Sequence, residues 1–379
     1  MKRLQDIFSL LTLETVFFAV VLIFLEAEGV VPILSIILGA VLISMVVNRL
    51  ESVNIYLQRI FQENKRLAIS WGLLFVVGLP FILHDNPYAI HMMFLAGLYT
   101  ALAIGLDFQV GAANLVNFAT AADYGIGAYA AALLAVHFGW SFWVVLPLGG
   151  LAAALFGFLL GLPTMKTKTY YLSLVTIAVG LIIYLLLNNL SWTGGPNGIA
   201  GIPFPGIGSF SFGDSLTIFG VALPFQANFY YLILGVVAIE FVVAKRLYNS
   251  KIGLAWNAIR DDEIAAECQG INVTGCKIMA FYTNAFFDGL AGAIYAFNVG
   301  FISPENFAFM LSVIDITRVL VGGMGNTVGV IFGALILTLI PEKFQVVQSY
   351  RLWLFALIIL VMLMARPKGL FPQKIRQYA

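Results

Sequence analysis

The residues of this sequence best able to do chemistry are charged or polar side chains set inside otherwise apolar runs. Asp123, Asp288, Asp315 and Arg318 fall in predicted membrane spans, where an unpaired charge costs about 3 kcal/mol or more. Asp315 and Arg318 are three apart on one predicted helix, so each can neutralise the other. The same two side chains would equally suit the amino and carboxylate groups of a zwitterionic solute. Asn117 and Thr120 precede Asp123 and complete a candidate translocation path. His84, His91 and His137 lie near span ends and suit the membrane interface better than a buried proton relay.

Other chemistries lack their residues. No GxxxxGKS or GxxxxGKT, HExxH, GxSxG or paired-cysteine motif occurs, and no nucleophile and base stand together as an intramembrane enzyme needs. Cys268 and Cys276 share one polar loop without a histidine, against a zinc site or an extracellular disulfide framework, and both are predicted reduced. No catalytic, cofactor-binding or metal site is predicted.

These residues must be positioned by helices in lipid. The chain has 379 residues, 61% hydrophobic and 10% charged, with a mean hydropathy of +0.96, far beyond what a soluble core uses. A net charge of +1 with no basic run gives nucleic acid no footprint. Apolar windows start near residues 7, 29, 67, 89, 113, 141, 169, 229, 277, 306, 325 and 350, which predicts an all-α, polytopic transmembrane bundle of about 10–12 spans. The window at 111–137 carries Asp123 and that at 325–341 is short and glycine-rich, so each is a candidate broken or re-entrant segment. Small residues at helix-packing spacing, Gly157 with Gly161, Gly125 with Ala128 and Gly289 with Gly292, predict a tightly packed bundle.

Lys2 and Arg3 precede the first run without a small-residue cleavage site, and Glu14 interrupts it, so it reads as a retained helix. With an inside N-terminus, all Lys and Arg except Arg318, Lys343 and Arg351 are cytosolic, and both termini face the cytosol. Residues 1–66 read as extra N-terminal spans plus an amphipathic connector over 48–66. Residues 67–372 form the main bundle, and 373–379 a cytosolic tail. Residues 190–228 form an extracytoplasmic loop with no Lys or Arg, whose Thr193, Gly194, Gly195, Pro196, Asn197 and Gly198 specify tight turns rather than helix or strand. Residues 247–276 form a cytosolic loop. From Leu254 to Gln269 it has no Gly or Pro, which predicts one charged surface helix stopped by Gly270.

Several motifs carry a family resemblance. Ser250-Lys-Ile-Gly-Leu254 through Ala258-Ile-Arg-Asp-Asp-Glu-Ile-Ala-Ala-Glu-Cys-Gln-Gly-Ile-Asn272 resembles the cytosolic loop of LivM-type permeases of bacterial branched-chain amino-acid ABC importers. Gly125-Ile-Gly-Ala-Tyr129, Thr193-Gly-Gly-Pro-Asn-Gly-Ile199, Gly300-Phe-Ile-Ser-Pro-Glu-Asn-Phe307, Val321-Gly-Gly-Met-Gly325 and Arg366-Pro-Lys-Gly-Leu370 resemble the same family in the same order. The resemblance covers about residues 67–372.

It implies an inner-membrane permease subunit that pairs with a LivH-type permease, two cytosolic ATP-binding subunits and an extracytoplasmic solute-binding protein. ATP would be bound by the partners. The cytosolic helix would couple to the ATPase through a motif resembling Glu-Ala-Ala with Gly four residues on. Ala265, Ala266 and Gly270 match it, Ile264 replaces the acid, and Glu263 sits one position earlier, with Arg260 and Asp261 beside it. Thr193, Gly194, Gly195, Asn197 and Gly198 would face the binding protein. Asn117-Phe-Ala-Thr-Ala-Ala-Asp123 partly resembles a LivH-type pattern, with Thr120 and Asp123 as departures. Asp288, Asp315 and Arg318 also depart from the family. A urea or amide importer permease of the same superfamily is the neighbouring reading, and an ion-coupled secondary transporter is the alternative of another class.

Overall fold

A computed structural model describes residues 2–27, 29, 31–36, 38–39, 42, 56, 59–164, 169–208, 210–218 and 220–344, with 353, 356–357, 359–360, 364 and 369–371. Its helices are α1 (Lys2–Glu26), α2 (Lys65–Ile82), α3 (Pro87–Ala113), α4 (Thr120–Phe138), α5 (Phe142–Thr164) and α6 (Thr169–Asn189). There follow α7 (Gln226–Tyr248), α8 (Lys251–Asp261), α9 (Glu263–Cys268), α10 (Val273–Val299), α11 (Phe309–Gly322) and α12 (Thr327–Lys343). The chain is an all-α polytopic bundle.

Seven described helices, α1 to α7, are long and apolar enough to cross a bilayer. The helices α10, α11 and α12 occupy three further predicted windows. α10 has 27 residues, but Lys277, Asn284, Asp288 and Asn298 lower its hydropathy, and all four side chains are buried by protein. α11 has 14 residues, about 21 Å of helix, too short to cross a hydrocarbon core of about 30 Å unaided. Much of the windows near 29 and 350 lies outside the described residues, as does most of the connector over 48–66. Of that connector, residues 59–63 are helical.

α3 is the axis of the bundle: 72% of its span is buried, against 11% for α1 and α2. It packs against α7, α10, α12 and α11, while α10 lies against α4 and α5. Missing side chains allow the last contact. A Cβ on Gly127 would strike the Gly289 backbone, and one on Gly289 would lie 2.8 Å from Gly149 O, so three backbones meet where only glycine fits. At the edge, α1 leans on α2 through stacked Phe18 and Phe75 rings, 4.0 Å apart. Lys343, one of the few basic residues predicted outside, donates from Nζ to Leu25 O at 2.6 Å and Ala27 O at 3.1 Å. It thereby caps the otherwise unsatisfied carbonyls at the end of α1.

Of three local expectations, one holds and two change. The window beginning at 111 is discontinuous: α3 ends at Ala113, Asn114 takes a left-handed φ of 55°, and α4 starts only at Thr120. The helix predicted over 254–269 is two, broken at Asp262, whose carboxylate accepts from Ile264 N at 2.9 Å and Ala265 N at 3.0 Å. A side chain that caps a helix start competes with helix continuation, so α9 begins afresh there.

The other change concerns the 190–228 loop, which contains short strands as well as turns. After two 3-10 turns, β1 (Ile199–Ala200) pairs antiparallel with β6 (Phe301–Ile302). Two hairpins follow, β2 (Gly206–Ile207) with β3 (Phe210–Ser211) and β4 (Leu216–Ile218) with β5 (Val221–Leu223). The β1 partner lies a hundred residues away in sequence, and local turn chemistry carries no sign of it.

Candidate functional site

The broken segment before α4 is a built turn. Asn117 Oδ1 accepts from Ala119 N at 2.8 Å, Thr176 Oγ1 accepts from Phe118 N at 3.0 Å, and Ser312 Oγ accepts from Ala121 N at 2.9 Å. These bonds tie the start of α4 to α6 and α11. They set Thr120, Asp123 and Gly127 on one face of α4 by their three- and four-residue spacing. Asn117 thus shapes the turn, while Thr120 Oγ1 and Asp123 Oδ1 are buried without a hydrogen-bond partner.

Deep in the bundle the predicted charges come together. Asp123, Asp288 and Asp315 are at most 1% exposed and Arg318 4%. Arg318 Nη1 lies 3.4 Å from Asp315 Oδ1, one turn away on α11, and its guanidinium sits 4.0 Å from the centroid of the Tyr99 ring on α3. Asp288 lies within electrostatic range of Asp123, Asp315 and Glu240. Glu240 was not predicted, nor was Asn284, one turn before Asp288 on α10. Both are fully buried and converge with Asp288 beside Gly105 of α3. The sequence signal for Glu240 was available: one ionisable residue inside an apolar window. Asn284 carries no charge and had no such signal.

A second buried acid, Asp107 of α3, was also missed, and its surroundings are opposite. Tyr248 Oη donates to its Oδ2 at 2.7 Å and Gly325 N donates to its Oδ1 at 2.7 Å. Tyr248 ends α7 just before the loop that carries α8 and α9, and Gly325 is in the turn between α11 and α12. Asp107 therefore fastens three distant parts of the chain at one end of the bundle.

Next to this fastening lies the loop over 247–276. Trp256 of α8 is fully buried, its Nε1 donates to Cys276 O at 2.8 Å, and its ring lies 6.2 Å from that of Phe108. Arg260 reaches Gly111 O at 3.4 Å and Asp261 at 3.7 Å, and Glu263 pairs with buried Lys277 at 2.6 Å. Ala266 packs inward on Ile259 and Val273. Ile264 is 75% exposed, Ala265 is exposed beside it, and Gly270 turns the chain at a φ of 79°. Of the residues predicted to couple, Ala266 and Glu263 therefore hold the loop to its own chain, while Asp261 and Ala265 face outward beside Ile264.

On the opposite side, Thr193 is buried and donates to Leu187 O at 2.9 Å and Leu190 O at 2.8 Å. Gly194, Gly195 and Gly198 all have positive φ, and a Cβ on Gly198 would strike Ile302 O. Asn197 is exposed. The neighbouring 300–307 segment reaches inward through Asn306, which donates to Tyr295 Oη at 3.1 Å. Tyr295 in turn lies 5.7 Å, ring to ring, from Tyr124, the residue after Asp123. Contacts thus run continuously from the outer segment to the acidic cluster.

A polytopic bundle with a polar interior and ordered polar loops at either end is a membrane permease. The chain belongs to the family described as the branched-chain amino acid transport system permease component, which it matches over residues 88–366. It is 37% identical over 321 residues to the high-affinity branched-chain amino acid transport system permease protein LivM of Salmonella typhimurium, covering 81% of this chain and 75% of that protein. The LivM of Escherichia coli is 36% identical over 320 residues, covering 81% and 73%. The LivH permease of Salmonella typhimurium is 26% identical over 305 residues, covering 75% and 95%. No solved structure matches significantly.

Proposed function

We propose that this chain is the permease subunit of an ATP-driven importer of amino acids, branched-chain or other, and that it forms half of a heterodimeric pore with a LivH-type partner. Two cytosolic subunits bind and hydrolyse ATP, and an extracytoplasmic protein delivers solute to the 190–228 side. This chain binds no cofactor of its own. Both termini face the cytosol, in keeping with the Lys and Arg distribution.

The observation that carries this reading is the construction of the cytosolic loop. α8 is anchored in the core by Trp256, while α9 presents Ile264 and Ala265 outward. An exposed apolar pair on a rigidly held helix suits docking into a partner groove. Through Trp256, Phe108 and Asp107, motion there has a packed route to α3 and the α11–α12 turn.

The test is purification of the chain with its neighbours and substitution of the outward face. The wild type is expected to hold two ATPase subunits and a second permease and to couple solute delivery to ATP hydrolysis. Ile264→Arg should leave membrane insertion unchanged and abolish coupled turnover. Full coupling in that variant would remove α9 from the interface.

One observation favours a second reading. Four buried carboxylates, Asp123, Glu240, Asp288 and Asp315, suit an ion-coupled secondary transporter. Uptake into proteoliposomes containing this chain alone, driven by an ion gradient, would establish it in place of the importer. A urea or amide solute would emerge from the same assays as the preferred substrate.

A further inference from the structure

The buried carboxylates are not equivalent. Asp315 has Arg318, but three other polar side chains gather around the bare backbone of Gly105. In the space a side-chain carbon would fill there, Asn284 Oδ1 comes to 2.6 Å, Asp288 Oδ1 to 3.3 Å and Glu240 Oε1 to 3.4 Å. All three residues are fully buried, and none of their side-chain oxygens, nor Asn284 Nδ2, has a partner in hydrogen-bond geometry. Asn284 is near enough to Asp288 for a weak, poorly aligned hydrogen bond, and no other donor reaches that carboxylate in good geometry.

Three acceptors aimed at one small space define what fits there. A water molecule has two protons to offer and leaves one acceptor unmet, whereas a primary ammonium carries three donors. An alkali ion also satisfies oxygen ligands, without directional demands. Two carboxylates and one amide fall short of the about six oxygen ligands that calcium or magnesium takes, so a tightly caged divalent ion is not the fit. Two carboxylates also supply the negative charge that a bare cation needs out of water. Arg318 cannot supply that positive charge here while it lies over Tyr99 and against Asp315.

We propose that Asn284, Asp288 and Glu240, converging beside Gly105, form a binding site for a compact monovalent cation, either the ammonium group of a transported solute or an alkali ion. As a solute site it rests on the transport reading above, and as an ion site it does not. The absence of a side chain at Gly105 is what lets the three side chains close in on its backbone, since a Cβ there would lie only 2.6 Å from Asn284 Oδ1.

Thermal unfolding of the purified full-length chain tests this. Choline chloride, whose bulky quaternary cation has no N–H donor, is replaced at constant chloride by sodium, potassium or methylammonium chloride. At least one small cation is expected to raise the unfolding temperature above that in choline, as a ligand of the folded state must. Glu240→Gln, which keeps shape but removes charge, should raise the half-effective concentration about tenfold or more, and Gly105→Ala should abolish the shift. If Gly105→Ala does not fold, Glu240→Gln carries the test.

A shift with methylammonium alone identifies a solute ammonium, one with sodium or potassium alone an ion, and a shift with both the shared chemistry. Identical melting in all four salts, or an unchanged shift in Glu240→Gln, overturns the site. ATP-driven uptake by the assembled complex is measured in parallel. Loss of the transport reading would show there, with the cation shift intact.

Discussion

Asp107 and the Asp288–Glu240 pair lie on or against α3, equally buried and only a few residues apart along it, yet the protein treats them differently. Asp107 receives two donors at 2.7 Å from elements far apart in sequence. Asp288 and Glu240 receive none in hydrogen-bond geometry. A buried carboxylate with its partners in place joins elements together, and each bond to it is worth about 1.5–3 kcal/mol. One without partners is a liability for folding, kept where something outside the chain uses it. The contrast separates a fastening at one end of the bundle from a site for a guest.

Substitutions can break this contrast. The largest effect is expected from Asp107→Ala, which leaves Tyr248 Oη and Gly325 N without their shared acceptor. A loss of about 3–5 kcal/mol is expected from two bonds to one acid, read as reduced yield and a lower unfolding temperature in detergent. A smaller loss, about 3 kcal/mol, is expected for Asp315→Ala, because Arg318 then keeps its charge without its carboxylate. The double change Asp315→Val with Arg318→Leu should restore stability, and its uptake then reports whether that pair touches solute. Full uptake in a well-expressed double variant would confine the pair to a structural role. The smallest effect is expected for Glu240→Gln measured without small cations: stability unchanged or raised by about 1 kcal/mol, since an unpartnered charge is removed. A destabilised Glu240→Gln in choline would place Glu240 with Asp107 as a fastening and erase the distinction.

The comparison also shows how far residue type alone could reach. Asp123, Asp288, Asp315 and Arg318 were visible because ionisable groups are rare in apolar windows, and the structure brings those four together. Glu240 and Asp107 obey the same rule and were readable by it. Asn284 and Gly105 were not, because an amide and a glycine are common in transmembrane helices and acquire meaning only from what faces them. The helix over 254–269 was legible as helix, but its break at Asp262 was hidden because the same aspartate is acceptable inside a charged helix. Likewise, Ala266 and Ile264 are neighbours in one motif, and only packing shows that the first points inward and the second outward.

By itself the sequence determined the solvent and the class. Apolar runs of spanning length require lipid, lone charges within them demand a use, and the motifs from residue 125 to 370 mark the permease family, all through local composition and spacing. Tertiary structure alone decided which charges are satisfied. That depends on contacts between residues far apart in the chain, such as Asp107 with Tyr248 and Gly325, Gly105 with Glu240 and Asn284, and Ile199 with Ile302. A hydrogen bond across the bundle leaves no periodicity in the sequence, because it is set by how close two backbones come and which way each side chain points when they meet.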